Sequence, residues 1–318
     1  MRKSLLAVGA VVSLGSAGLA AADPVVVGIG TGNTVARFET VLGPIHIEVF
    51  DAVSPSGTNG AYETTITPAT ATNFKTLIVQ DAYQYMFFHR SAFLGNGEPF
   101  VVQGGGFRVT DPVSGSLAFV ADNGTVINEP GISNTRGTLA MAKTAAGPDT
   151  ATNQFFFNLN DDNATAVGGP QLDSQNGGFT VFARVLGNDM DIVDQVSALL
   201  RINASTIHPA FNELPVLNPP VGGQILLSDL VITNDAFLLV PGDANFDGVV
   251  DLIDLSTLAT NFGGSVIGAE AGDFNFDGVV DLIDLSTLAS NFGAGTTVPE
   301  PVSAALLGAG LVGLRRRG

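Results

Sequence analysis

Between residues 23 and 240 apolar and polar side chains alternate with a period of two over short runs, the mark of half-buried strands. Residues 35–41 and 45–50 have this character and, joined at Gly43-Pro44, predict a hairpin. Further strands are predicted over 100–103, 137–143, 154–159 and 179–185. Only two stretches repeat with helical spacing. One starts near Thr70 and lines up Phe74, Leu77 and Ile78 on one face; the other covers 190–200, with Asp189 at the N-cap position. Two helices among many strands predict a mainly β domain, a closed or nearly closed β-barrel with helical caps.

The pattern changes at both ends. Met1-Arg2-Lys3 precedes an apolar run from Leu5 to Leu19 and then Ala20-Ala21-Ala22. This is the layout of a secretory signal over 1–22, cut after Ala22, although an N-terminal membrane anchor is the other reading. At the far end, over 296–318, Val298-Pro299-Glu300-Pro301 leads into apolar 302–314 and then Arg315-Arg316-Arg317. That run is short of the roughly 20 residues a bilayer-crossing helix needs. The layout resembles the PEP-CTERM sorting tail of some Gram-negative bacteria. The resemblance implies transient membrane retention and removal by a sorting protease; a plain tail anchor is the alternative. Either way the expectation is export, to the periplasm, the cell surface or the medium.

Composition removes whole classes of chemistry. The net charge of −17 repels phosphate backbones and anionic headgroups, so a nucleic-acid partner is not expected. There is no Cys, hence no thiol nucleophile, disulfide or cysteine zinc site. His46, His89 and His208 are the only histidines, too few for a multi-histidine metal centre. With 45% hydrophobic residues the chain has ample material for a core.

The acidity is concentrated in 241–295, which carries no Lys or Arg. There, 243–263 and 273–293 form a direct repeat that differs only at Ala244/Phe274 and Thr260/Ser290. The first copy offers Asp243, Asn245, Asp247, Asp251 and Asp254, plus the backbone carbonyl of Val249; the second offers Asp273, Asn275, Asp277, Asp281 and Asp284, plus that of Val279. Calcium, a hard cation that takes six to eight oxygens, suits this spacing, with Gly248 and Gly278 at the sharp turn. Two structural Ca2+ sites are therefore expected. After each loop, Leu255, Leu258, Ala259 and Phe262, or Leu285, Leu288, Ala289 and Phe292, fall on one helical face. No helical pattern precedes the first loop. A calcium loop with only its exiting helix, duplicated in tandem, resembles a type I dockerin. In that family, loop positions ten and eleven help choose a cohesin partner, often through hydroxyls. Here they are Leu252-Ile253 and Leu282-Ile283, which are either an apolar docking patch or core between the repeats. The module is accordingly expected to bind a cohesin-like partner or to act as a calcium-stabilised accessory.

Within 23–240 there is no Gly-x-Ser-x-Gly elbow, no phosphate-binding Gly-Lys-Ser/Thr loop and no His-Glu-x-x-His. Gly104-Gly105-Gly106 reads as tight backbone packing rather than a phosphate cradle. What does stand out is an ordered set of uncommon strings: Phe88-His89-Arg90, 100–105 (Phe-Val-Val-Gln-Gly-Gly), Asn128-Glu129, 134–142 (Asn-Thr-Arg-Gly-Thr-Leu-Ala-Met-Ala), 153–156 (Asn-Gln-Phe-Phe), Leu172-Asp173 and 178–182 (Gly-Phe-Thr-Val-Phe). Together these resemble a cyclophilin-type peptidyl-prolyl isomerase of the bacterial kind, over about 35–200.

The resemblance implies an eight-stranded antiparallel barrel closed by two helices. It also implies isomerisation of X–Pro bonds in polypeptide substrates, by a monomer that needs no cofactor for catalysis. It assigns Arg90, Gln103 and Phe100 as the catalytic set. Arg90 is the cation near the prolyl nitrogen; Gln103 orients it and contacts the substrate carbonyl. Phe100, Val101, Phe156, Leu172 and Phe179 would line the proline slot, although taken singly these apolar residues also read as barrel core. Ala142, the backbone of Lys143, and Gln154 would hold the flanking residues. Val101 stands where Met is frequent, Lys143 where Asn is, and Phe179 where His is. Segments 54–67, 91–98 and 203–215 read as insertions at the rim. A non-catalytic binder of proline-containing segments, or a surface scaffold docked through the repeat module, is the competing function.

Overall fold

The computed structural model describes residues 32–55, 62–64, 66–111, 116–165, 170–220, 222 and 224–295; the expected signal (1–22) and sorting tail (296–318) lie outside them. In chain order the elements are β1 (Thr34–Thr40), β2 (Gly43–Val49), β3 (Val53–Pro55), β4 (Tyr62–Thr64), α1 (Pro68–Val79), β5 (Arg90–Phe93), β6 (Pro99–Gly104), β7 (Phe107–Asp111), β8 (Ser116–Phe119), β9 (Thr138–Met141), β10 (Phe155–Asn158), β11 (Val181–Val185), α2 (Met190–Ala198), β12 (Leu200–Ile202), β13 (Leu214–Val216), β14 (Thr233–Leu238), α3 (Leu252–Asn261) and α4 (Leu282–Asn291).

Eight strands form one curled sheet in the order β14-β1-β2-β11-β9-β10-β6-β5, with every neighbouring pair antiparallel. Its concave side buries Phe38, Ile47, Val102, Leu139, Phe155 and Phe157, against Phe74 and Leu77 of α1 and Val193 and Val196 of α2. Both helices thus cover one core, as the alternation and the two helical stretches predict. The closed barrel is not formed: no ladder joins β5 to β14. Among the described residues the gap is crossed by one isolated antiparallel bridge, Phe87 with Ile232, through Phe88 N to Val231 O (3.2 Å) and Thr233 N to Met86 O (2.7 Å). The physical reason is that the outer edge of β5 is already taken, since Ser91 N donates to Glu213 O at 2.9 Å.

Two local expectations change. The β1–β2 turn is at Val41-Leu42, and Gly43 and Pro44 lie inside β2, opposite Thr40 and Glu39. Thr40 fixes this register by donating its hydroxyl to Gly43 O and accepting from Leu42 N. Asp189 precedes α2 but makes no cap bond; its carboxylate accepts instead from His46 N and His46 Nδ1, both at 2.7 Å.

In the repeat module the two copies brace each other. Val280 N donates to Gly264 O, and Gly263 N to Val280 O; Val250 repeats this with Gly293 and Ala294. Val250, Leu258, Val280 and Leu288 are buried between the copies. The expected apolar helix face is narrower than its pattern: Ala259 is exposed within α3, and Phe262 is exposed because α3 ends at Asn261 and the chain leaves the helix there. The module sits against the barrel. Arg37 Nη1 donates to Glu270 Oε2 (3.0 Å), its guanidinium lies 4.2 Å from the Phe246 ring centre, and the Phe276 ring is tilted against His46 with 5.0 Å between centres.

Helix α1 begins with Pro68 at N1, and Thr67 gives no side-chain cap. The cap comes from far along the chain: Glu129 accepts from Ala69 N, Thr70 N and the Thr70 hydroxyl. Carboxylates at helix N-termini satisfy orphan N–H groups and oppose the positive end of the dipole. Glu129→Ala is therefore expected to lower stability by about 1–2 kcal/mol, read as a drop in the urea midpoint at unchanged slope.

Candidate active site

The pleat of the sheet creates two apolar faces. On β10, Phe155 and Phe157 enter the barrel core, while Phe156 between them points to the outside. On β9, Ala140 does the same between Leu139 and Met141. On β11, a register shift between Val181 and Ala183 sends Phe182 and Ala183 inward and leaves Val181 outside. Six of the sequence-predicted residues, Phe100, Val101, Ala142, Phe156, Leu172 and Phe179, meet in this second, outer cluster. Phe50, Ile66, Ala92, Ile132, Ala140 and Val181 complete it.

Register places the polar residues beside it. Arg90 lies opposite Gln103, Gln103 opposite Phe156, Phe156 opposite Ala140, and Ala140 opposite Val181. One lateral row across five strands therefore runs from a guanidinium, through an amide, onto an apolar floor. Ala92 and Val101, two residues along from Arg90 and Gln103, face the same way and pair with each other.

The row is held from behind by buried amides. Asn163 Nδ2 donates to Phe100 O (2.8 Å) and to Asn158 Oδ1 (2.9 Å). Asn158 Nδ2 reaches Asn134 Oδ1, and Asn134 Nδ2 donates to Phe179 O and Asp173 Oδ1. Asn134, Asn158 and Asn163 are fully buried, so this chain ties the backbones of Phe100 and Phe179, both in the outer cluster, to one frame.

The family is decided by comparison. The chain is 36% identical over 164 residues to "Peptidyl-prolyl cis-trans isomerase B" of Escherichia coli, spanning 51% of this chain and 83% of that protein. It is 32% identical over 165 residues to a "Peptidyl-prolyl cis-trans isomerase" of Acinetobacter baylyi, spanning 52% and 72%. It belongs to the cyclophilin-type peptidyl-prolyl isomerases. The family model described as "Cyclophilin type peptidyl-prolyl cis-trans isomerase/CLD" matches residues 62–211, and that described as "Dockerin type I domain" matches 241–303. Among solved structures, a Cryptosporidium parvum cyclophilin crystallised with the dipeptide Ala-Pro aligns at a TM-score of 0.40 and 19% identity, over 64% of this chain and 98% of that one. This cyclophilin is thus an isomerase of peptidyl-prolyl bonds, an activity that needs no cofactor.

Three polar assignments take a form the sequence did not predict. Gln103 donates its amide to Gln154 Oε1 (2.9 Å), whereas the Arg90 guanidinium is held by Glu213, Nε to Oε2 at 3.0 Å. Gln154 reaches Gln103 because Gly106 has no side chain; a Cβ there would fall 2.8 Å from Gln154 Cδ. At Gly105, with φ +78°, a Cβ would fall 2.4 Å from Asn153 O, so the triple glycine is a packing device, as expected. Lys143 folds its ammonium back onto Asn128 Oδ1, Asn176 O and Gly178 O, 4.8 Å from the Phe179 ring centre. Burial holds its pKa below the usual lysine range. Sequence reasoning missed Glu213, Asn158 and Asn163; a polar residue closing the run Phe155-Phe156-Phe157-Asn158 was the one available signal.

In the calcium loops Gly248 and Gly278 adopt φ of +85° and +88° at the expected turn. Among the described residues no three acidic or histidine side chains stand in a ready metal-binding group. Instead each loop is tied to its own backbone: Asp243 Oδ2 accepts from Gly248 N, Asp247 Oδ1 from Val249 N, and Asp254 from Ala244 N, Asn245 N and Asp251 N. In the second copy the matching bonds join Asp273 to Gly278 N, Asp277 to Val279 N and Asp284 to Phe274 N, Asn275 N and Asp281 N. Asp251 and Asp281 cap α3 and α4. The donor set fits a cation in its chemistry. Asp243 Oδ1 is buried without a hydrogen-bond partner. Burial, with Asp284 and Asp277 nearby, pushes the Asp273 carboxyl up to about 6.

Beside Arg90, His89 is buried against Phe107 and Phe211, and its pKa is lowered to about 3 by burial and then by the Arg90 and His208 charges. It stays neutral in the fold, whereas the unfolded ring protonates near 6.5. Its contribution is thus complete above the unfolded value and is lost as pH falls from about 6.5 towards 3. His89→Phe, which keeps the ring packing, is expected to lose less stability than wild type between pH 7 and pH 4, measured by urea unfolding at each pH.

Proposed function

We propose that this cyclophilin is exported and isomerises X–Pro bonds of polypeptide substrates through Arg90, seated beside the outer apolar cluster. The observation that carries this reading is the lateral row from Arg90 through Gln103 to Phe156. X–Pro rotation faces a barrier of about 18–20 kcal/mol because resonance stiffens the C–N bond. No bond has to break, so the site needs only to hold the twisted amide better than either planar form. As the amide twists, the prolyl nitrogen gains lone-pair density, and a guanidinium nearby stabilises it. Arg suits this better than Lys because it stays charged and presents a planar fork of donors. Phe100, Val101, Phe156, Leu172 and Phe179 hold the pyrrolidine ring, while Gln103, Gln154 and the backbones of Ala142 and Lys143 hold the flanking chain. Arg90→Ala should cut kcat/KM in a proline-peptide assay by about 10²- to 10³-fold, the cost of removing one preorganised charge donor. Equal catalysed rates would overturn the role of Arg90, and a wild-type rate no faster than the uncatalysed one would favour the non-catalytic binder.

The dockerin type I module supports two further parts of this reading. Each loop would hold one calcium ion through its aspartates, Asn245 or Asn275, and the carbonyl of Val249 or Val279; when bound, the ion neutralises the crowded carboxylates. Leu252, Ile253 and Leu282 are well exposed, which favours a docking patch over inter-repeat core, for a cohesin-like partner. Export, through residues 1–22 and a sorting protease acting on 296–318, rests on the sequence alone. Calorimetric titration of the full chain should give two calcium ions per chain, and one in Asp243→Ala/Asp254→Ala. A chelator should lower the melting temperature, since metal binding and loop closure are coupled. No binding heat and no shift would remove the calcium assignment.

A further inference from the structure

Glu213 has no place in the motif strings and lies in a rim insertion, yet among the described residues it is the one hydrogen-bond partner of the Arg90 side chain. The insertion is built to keep it there. β12 and β13 pair in register, Leu200 with Val216 and Ile202 with Leu214, and Ala204 N closes the loop between them onto Phe211 O. Phe211, Leu214 and Val216 are buried in a third cluster with Phe87, Phe107 and Val109. The Arg201 guanidinium lies 3.7 Å from the ring centre of Phe93, on β5. Finally, Ser91 N donates to Glu213 O, so the backbone of Glu213 is fixed to the strand that carries Arg90.

We propose that Glu213 is a positioning residue for Arg90 and performs the orienting task that the resemblance gives to Gln103. An arginine side chain has several soft torsions, and a site tolerates little error in the direction of its charge. Glu213 takes only the Nε–H. That single contact fixes the plane of the guanidinium and leaves the four Nη N–H groups for the substrate. Gln103, engaged with Gln154, stays on the other side of Arg90 across the sheet. A carboxylate beside the cation also lowers the local positive potential. The arrangement therefore acts through geometry rather than through added charge.

This rests on the assignment of Arg90 as the cation, and the experiment separates the two. Isomerisation is measured for wild type, Glu213→Ala, Glu213→Gln, Arg90→Ala and the double variant Arg90→Ala/Glu213→Ala, with the urea midpoint of each as a check on folding. Glu213→Ala is expected to lower kcat by about 10- to 100-fold with KM little changed. Glu213→Gln, which keeps an oxygen acceptor and the side-chain shape, should recover most of that loss. In the Arg90→Ala background, Glu213→Ala should have no further effect. Wild-type kcat in Glu213→Ala with a slow Arg90→Ala would overturn the role of Glu213 alone, as would an equal loss in both backgrounds. A wild-type rate in Arg90→Ala would overturn both.

Discussion

One curved sheet has to bury apolar side chains on both of its faces at once, and the site depends on that. A strand covered on one side alternates apolar and polar. β10 instead reads Phe155-Phe156-Phe157, with the outer rings in the core and the middle one outside. Burying all three is worth several kcal/mol, but only if something covers Phe156. The cover is the loop carrying Leu172 and Phe179, held down by Asn134, Asp173 and Gly178. Gly178 is required there: its φ is +78°, and a Cβ would fall 2.7 Å from Asp173 O. The outer cluster is thus a second packing layer, in which Phe100, Ala142 and Phe179 stay only partly buried.

The same sheet explains where the cation stands. Residues directly opposite on antiparallel strands lie about 5 Å apart, so Arg90, Gln103 and Phe156 are neighbours by register alone. Register cannot set the direction of a long side chain, and this is where Glu213 enters. A strand partner gives place, and a side-chain contact gives orientation. Splitting the task has a cost to the sheet. The backbone that brings Glu213 occupies the edge of β5 and keeps the barrel from closing there.

The parts legible in the sequence are those whose signal is local. The β1–β2 hairpin, both helices and the strands around the slot follow from periodicity, and the calcium loops follow from a repeat. The apolar slot residues were ambiguous one at a time, because a Phe in a strand looks the same whether it faces in or out. Order and spacing of the motif strings grouped them, and the structure gathers them in one cluster outside the barrel core. What stayed hidden was set by distant contacts. β5 is short, and β14 carries no clean alternation. Glu129 caps a helix 59 residues upstream of it, and Glu213 meets Arg90 across 123 residues. Asp189 looks like a cap from the sequence, yet it is claimed by His46, 143 residues away. A carboxylate serves whichever unsatisfied donor the fold presents, and local pattern does not reveal that donor.

The repeat module adds a constraint of a different kind. Its carboxylates are drawn together by short loops, and no lysine or arginine within 241–295 offsets them. The barrel supplies a cation instead: Arg37 pairs with Glu270, lies over Phe246, and donates to His46 Nε2 at 2.9 Å. His46 Nε2 receives that Arg37 donor, and its Nδ1 faces Asp189 at the head of α2. A continuous polar path therefore runs from Glu270, just ahead of the second loop, to Asp189 before a barrel helix, flanked by Leu186, Ala269 and Phe276 in an apolar seam. Arg37 and Arg90 carry their charges on opposite flanks of the sheet order, one on β1 and one on β5. The chain thus uses one of its few cations to seat the acidic module and keeps another beside the slot, and the two tasks share no residue.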